Sequence, residues 1–291
     1  MQGELVGIAT RTPYRHERMA IVVTMVVLGM VLSVLIPLPS RQVVLHLFGS
    51  ELALRFSGSV QLLLVLGAIV SAGVDSLVRS SWESSPSAES SSPSRGLYSL
   101  VYSATFWPLP CIVTILGLRL MHNLAWWGHQ MAWAILVAGS VATVISFQLR
   151  TQSPSKTDHR ALRLVLNGIA YVTAYALFSI VYGARLRSVL SATGILLVSG
   201  ALALELFRNV EPRPWRSWLY AAIVALVLGQ LTWALNYTQL SNRSGGALLL
   251  LGYYTLTGLV QQHFWKRLTR RVVIEYATVL IAGLIVLIVV F

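Results

Sequence analysis

The chain has 291 residues, of which 56% are hydrophobic and only 11% charged, and its mean hydropathy is +0.70. A soluble domain carries roughly a quarter charged residues, so this composition excludes a water-facing globule and fits a protein whose solvent is lipid. The net charge of +12 is spread through short basic segments between apolar runs; that layout argues for orientation in a membrane and against nucleic acid as a partner.

A single cysteine, Cys111, sits in an apolar run. It allows neither an intrachain disulfide nor a Cys/His zinc site and reads as a small core residue. At the start, Arg11, Arg15 and Arg18 precede the run Met19–Ile36. That run is long for a signal core and ends in Pro37-Leu38-Pro39 without a small-x-small cleavage site, so a retained first span is expected.

Nine apolar runs are expected to be helices that cross a bilayer: Met19–Ile36, Ser59–Val78, Tyr98–Leu118, Ala125–Phe147, Leu162–Gly183, Ser188–Phe207, Arg216–Asn236, Gly246–Trp265 and Val272–Phe291. Each is about 18 to 23 residues, the length a helix needs for the hydrocarbon layer. The expected fold is therefore all-α, a polytopic bundle of nine spans forming one transmembrane domain over 1–291.

The basic residues set the threading. With the N-terminus in the cytoplasm, sixteen Lys and Arg fall in inner segments and the remaining six, Arg41, Arg55, Arg119, Arg185, Arg187 and Arg243, fall outside. Cytoplasmic segments carry such an excess. An odd number of spans then leaves the C-terminus outside.

Between spans 1 and 2, residues 41–56 are too charged and too short to cross. Leu52, Leu54 and Phe56 alternate with Glu51, Ala53 and Arg55, which is the period of a strand. With Gly49-Ser50 as a two-residue turn, the segment reads as a β-hairpin on the outer face; an interfacial helix is the alternative. Residues 80–95 hold nine serines and two prolines. That composition cannot bury surface, so a disordered cytoplasmic loop is expected.

Span 3 contains Trp107-Pro108-Leu109-Pro110, which should kink or break its helix. Such breaks can line transport sites, although neighbouring helices commonly absorb them. Span 4 opens with Trp126-Trp127, tryptophans suited to headgroup depth. His122 and His129 lie near the same level and read as interfacial polar groups rather than pigment ligands, since no paired-histidine spacing recurs.

Span 5 has the clearest pattern. Asn167, Tyr171, Tyr175, Phe178 and Tyr182 fall within an arc of about 80° at helical spacing. Gln230, Trp233 and Tyr237 share a face of span 7, and Tyr254, Gly258, Gln261 and Trp265 a face of span 8. Polar groups in hydrocarbon need partners. These faces are therefore expected to point inward, with Gln230 level with Tyr253 and Tyr254, as a polar interior and candidate ligand-binding surface. Gly252, Thr255 and Gly258 should allow close helix approach. The sequons at Asn236 and Asn242 are treated as coincidence, because the loop is short.

Three acids fall within spans: Asp75, Glu205 and Glu275. Intramembrane ionisable groups are functional suspects, and three carboxylates at one depth could bind a cation or relay protons. Each also has a base at helical spacing, namely Arg79, Arg208 and Arg271, and local ion pairing near the interface is the favoured expectation. No G-x-S-x-G, H-E-x-x-H, phosphate loop or aspartate-rich metal cluster occurs, so nothing argues for catalysis, a metal or another cofactor.

The run Tyr182-Gly183-Ala184-Arg185-Leu186-Arg187-Ser188-Val189-Leu190-Ser191-Ala192-Thr193 and the run Gly229-Gln230-Leu231-Thr232-Trp233-Ala234-Leu235-Asn236-Tyr237 resemble those of a bacterial polytopic membrane family with no assigned function. The resemblance implies a bacterial cytoplasmic membrane and an outer hairpin, and transfers no catalytic role. The favoured function is a non-enzymatic accessory or scaffold subunit, with the lipid bilayer and other membrane subunits as partners. A carrier for a lipid, isoprenoid or other amphipathic molecule is the second reading, and a membrane-embedded transferase the third.

The threading is open to direct test. Reporter fusions within residues 84–94 should report the cytoplasm and fusions at Phe291 the opposite side; the same side for both would remove the nine-span scheme.

Overall fold

The computed structural model describes residues 11–35, 41–47, 50–56, 58–83, 94–151, 159–184, 188–211, 213–238 and 240–290. The described elements are α1 (Arg11–Leu35), β1 (Arg41–Leu47), β2 (Ser50–Phe56), α2 (Gly58–Glu83), α3 (Ser94–Ser103), a 3-10 turn (Ala104–Phe106), α4 (Pro108–Met121), α5 (Trp127–Arg150), α6 (His159–Gly183), α7 (Ser188–Arg208), α8 (Pro214–Leu235), α9 (Asn242–Phe264) and α10 (Arg270–Val290). Seven helical segments among the described residues, from Glu17–Leu35 to Pro214–Leu235, are long and apolar enough to cross a membrane. Helices α9 and α10, of 23 and 21 residues, are not among those seven.

Two local details differ from the sequence reading. β1 and β2 pair antiparallel, with Arg41 opposite Phe56 and Leu47 opposite Ser50. Ser50 is thus a strand residue, and the chain reverses between Leu47 and Ser50 rather than at Gly49-Ser50. The serine-rich segment is partly helical: α2 continues to Glu83 and α3 begins at Ser94. Serine can stay in a helix end by bonding back to the preceding turn, as Ser80 Oγ does to the carbonyl of Leu77 at 2.9 Å. The remainder of the expected loop, 84–93, lies outside the described residues.

The Trp-Pro-Leu-Pro motif interrupts the third run. Helix α3 ends at Ser103, a 3-10 turn follows, and α4 starts afresh at Pro108. Proline is tolerated in a first turn, where its missing N–H would have no helical partner anyway.

Contacts divide the chain into two compact units, Met1–Ser91 with Pro110–Ser146 and Ser92–Leu109 with Phe147–Phe291. In the first, α1 and α2 meet along rows spaced by four: Val22, Val26 and Met30 on one, Leu66, Val70 and Val74 on the other, all buried. Rows of this spacing are the ridges by which helices interlock. Gly73 lies against Val22 and Gly29 against Leu66, and the Arg18 guanidinium donates to the carbonyl of Ser76 at 3.2 Å. Helices α4 and α5 are joined where Gly117 abuts Val137 and Trp133 Nε1 donates to the carbonyl of Gly117 at 2.9 Å.

In the second unit, α8 is two-faced. Its buried face is mostly small: Ser217, Ala221, Ala225, Gly229 and Thr232, with Pro214, Val224, Leu228 and Leu235. Its outward face carries Trp215, Leu219, Ile223, Leu226 and Trp233. Large apolar groups outside and small ones inside is the arrangement expected of helices packed in lipid. Helix α9 is capped by Ser241, whose Oγ accepts from the N–H of Ser244 at 3.2 Å. It ends on Lys266, a left-handed residue at φ 55°. There the N–H of Arg267 reaches the carbonyl of Gln262 and that of Lys266 the carbonyl of His263, both at 3.0 Å. Glycine normally takes this position.

The tightest seam joins α6 and α9, where Gly246 rests on Ser179. A Cβ at Gly246 would lie 2.8 Å from the Ser179 Cα, so backbone rather than a flexible side chain would have to move. Gly246→Ala is expected to destabilise by about 1–3 kcal/mol, read as a lower unfolding midpoint in detergent; an unchanged midpoint would show that the seam is not closed there.

Candidate functional site

Glu205, near the end of α7, is a fully buried ionisable group of the second unit. From Leu202 to Phe207 six successive residues of α7 are buried. Six residues sweep the whole circumference of a helix, so this end of α7 is enclosed on every side. Glu205 is paired with Arg208 through Oε1, and its Oε2 accepts from Gln148 Nε2 of α5 at 2.7 Å. The Arg208 guanidinium lies 3.9 Å from the centroid of the Phe106 ring, a cation–π arrangement. Asn209 Nδ2 donates to the carbonyl of Glu205 at 3.2 Å. Arg208 Nε and Gln148 Oε1 are buried without a hydrogen-bond partner.

A second polar group lies on the α6–α9 seam. Tyr171 and Thr257 share a hydrogen bond of 3.1 Å. The Tyr171 ring lies 5.8 Å from both Tyr253 and Tyr254, Phe178 lies 5.8 Å from Tyr253, and Tyr254 lies 5.8 Å from Tyr276 of α10. Tyr182 donates to the carbonyl of Leu235 at 3.1 Å. Tyr253 is fully buried, and its hydroxyl and Asn167 Oδ1 have no hydrogen-bond partner.

The structure brings together only part of the expected interior. Tyr171 and Tyr182 are inside and bonded, and Asn167, Tyr175 and Gln261 are half-buried. Gln230 and Trp233 instead face outward with Tyr237, and Tyr254 is 40% exposed. Gln230 is level with this stretch of α9, since Leu228 and Leu231 beside it abut Gly252, but its side chain does not face Tyr253. The reason is packing: the opposite face of α8 offers the small residues that let another helix approach, so α8 turns that face inward and leaves Gln230 outside.

The three acids also separate. Asp75 Oδ2 sits 2.8 Å from Arg79 Nε in α2, but Oδ1 and Nε have no aligned hydrogen bond. Glu205 pairs locally with Arg208 as expected, and the pair is buried under Gln148 and Phe106 rather than exposed. Glu275 is exposed and forms no ion pair with a described residue, so the expected pairing with Arg271 does not occur.

The sequence reading does not single out Gln148, Phe106 or Thr257, and it places Tyr253 at the site only by its level with Gln230. Gln148 had a usable signal, a lone amide near the end of an apolar run. Among the described residues, no three His, Cys, Asp or Glu side chains group as metal ligands would. His122 Nδ1 is 2.8 Å from the carbonyl of Leu118, and the His129 ring is 4.9 Å from that of Trp126. Asn236, of the first sequon, donates to Ser191 Oγ at 2.7 Å.

Residues 38–290 match the model of a family described as "Protein of unknown function (DUF5656)". The chain belongs to this family. No curated protein and no solved structure matches it. The DUF5656 match spans all of α2 to α10 and so takes in both polar groups.

The burial of the Glu205–Arg208 pair sets it apart from a partly exposed helix pair such as Asp75–Arg79. An exposed helix pair contributes about 0.3–0.5 kcal/mol, whereas removing one partner of a buried pair costs about 3–5 kcal/mol. Arg208→Leu should therefore lower stability far more than Arg79→Leu. The double change Glu205→Leu with Arg208→Leu should recover much of the loss. Additive effects in this double-mutant cycle would show that the two groups are uncoupled.

Proposed function

We propose that the protein is a multi-pass integral membrane protein with nine crossings and a cytoplasmic N-terminus, and that it serves as a non-enzymatic accessory or scaffold subunit. The observation that carries the scaffold reading is that interior polar groups are spent on joining helices. Tyr171 is bonded to Thr257, Tyr182 to the carbonyl of Leu235, and Glu205 to Arg208 and Gln148. Groups used in this way rigidify a bundle and leave their hydrogen-bonding capacity inside it. The basic asymmetry supports the cytoplasmic N-terminus, and the family resemblance supports a bacterial cytoplasmic membrane as the location.

A second reading is favoured by one observation. The hydroxyl of fully buried Tyr253 and the Oδ1 of Asn167 are unpartnered beside Tyr171. A polar headgroup of an amphipathic carrier ligand could use them, and buried polar atoms without partners call for such an explanation.

Photolabelling separates the two. A diazirine-bearing isoprenoid in reconstituted membranes should label the outward face of α8, at Ile223 and Leu226, and spare Tyr171 and Thr257 if the bundle is a scaffold. Saturable labelling at Tyr171 or Thr257 would replace the scaffold by the carrier.

A further inference from the structure

Helices α8, α9 and α10 bring their basic ends together. Tyr220 OH of α8 lies 3.0 Å from His263 Nε2 of α9, and the Tyr220 ring packs 4.9 Å from that of Phe264. Arg216 is one turn before Tyr220, and Lys266 follows three residues after His263, so the two run on toward the same end. Gly258 of α9 abuts Tyr276 of α10, which places Arg270 and Arg271, just before Tyr276, at that end as well. Arg213, Arg216, Lys266, Arg267, Arg270 and Arg271 are all exposed. Glu211 and Glu275 are the acids nearest in sequence. Glu211 Oε1 accepts from the backbone N–H of Arg213 at 3.3 Å, and among the described residues neither acid is ion-paired with any of the six cations.

Folding rewards only part of this arrangement, the basic residues that follow the C-terminal end of α9. Arg216, Arg270 and Arg271 occupy first turns of helices that hold no acid there, where the helix dipole disfavours a cation. Lys266 keeps a left-handed backbone that glycine would adopt without strain. Six like charges at one end also repel one another. Trp215, Trp218 and Trp265 are exposed at the same end, and tryptophan beside basic residues marks headgroup depth.

We propose that this basic end of the second unit binds the phosphate headgroups of anionic phospholipids. The site needs only that these helices cross a bilayer; it does not depend on the scaffold or carrier reading, and the photolabelling outcome is independent of it. The guanidinium groups match phosphate oxygens in bidentate geometry, and Lys266 adds a compact charge. Headgroup anions remove the repulsion and offset the unfavourable dipole terms together.

The test uses the full chain in neutral detergent, with thermal unfolding followed during titration with phosphatidylglycerol, phosphatidylcholine or inorganic phosphate. Phosphatidylglycerol should raise the midpoint in a saturable way, while the other two leave it unchanged. Lys266→Gly should raise the midpoint without lipid, because it relieves the backbone, yet weaken the response to phosphatidylglycerol roughly fivefold, as expected for one basic group near an anionic surface. The triple change R267Q, R270Q and R271Q should abolish the response. Equal stabilisation by phosphatidylcholine overturns the proposal, as does a phosphatidylglycerol response unaltered in Lys266→Gly. Stabilisation by inorganic phosphate at the same concentrations overturns it in favour of a soluble anion.

Discussion

The second unit depends on how closely helices can approach without a hydrophobic drive. In hydrocarbon, lipid tails are as apolar as leucine, so helix association rests on dispersion contacts and on a few polar bonds. Helices α7 and α8 meet this constraint with small residues. A methyl group on Gly200 would lie 3.1 Å from Ala225 Cβ, and one on Gly229 would lie 3.5 Å from the carbonyl of Ala192. The same device recurs where Gly245 fits against Tyr182 and Gly258 against Tyr276. Large apolar side chains are then left for the outside, which accounts for the exposed Trp215, Leu219 and Ile223.

Close approach brings the second requirement, that polar groups find partners inside. Tyr182 reaches across to the end of α8, Asn236 reaches Ser191 of α7, and Tyr171 reaches Thr257 of α9. Many remaining hydroxyls bond to the turn below them on their own helix, as Thr232 does to Leu228 at 2.7 Å and Thr114 to Pro110 at 2.8 Å. Serine and threonine can therefore enter the helix interior without a tertiary partner, whereas Tyr171, Tyr182, Asn236 and Gln148 take theirs from another helix.

Helix positions were legible in the sequence because apolar run length and breaker residues act locally. The break at Pro108 and the inward setting of Tyr171 and Tyr182 were readable for that reason. The rotation of α8 was not. Polarity suggested that Gln230 should face inward, but in a bundle without hydrophobic drive the small-residue face, Ser217, Ala221, Ala225 and Gly229, wins the contact. The enclosure of Glu205 was hidden differently. Its base at i+3 suggested an exposed pair, whereas Leu202, Ala203, Leu204, Leu206 and Phe207 around it offer no polar face, and that surround was the better signal. Gln148 and Phe106 lie far from Glu205 in the chain, so no local pattern could join them to it.

The three-residue separation of Glu205 and Arg208 has a consequence for biogenesis. A lone carboxylate or guanidinium within a span opposes insertion by about 2.5–3.5 kcal/mol on translocon scales. Here each neutralises the other as soon as the helix itself forms, because both lie on one turn of α7. The segment can therefore leave the insertion machinery with its charges already matched, before Gln148 or Phe106 has docked. Had the same pair been split between two helices, neither could have entered the bilayer cheaply without waiting for the other.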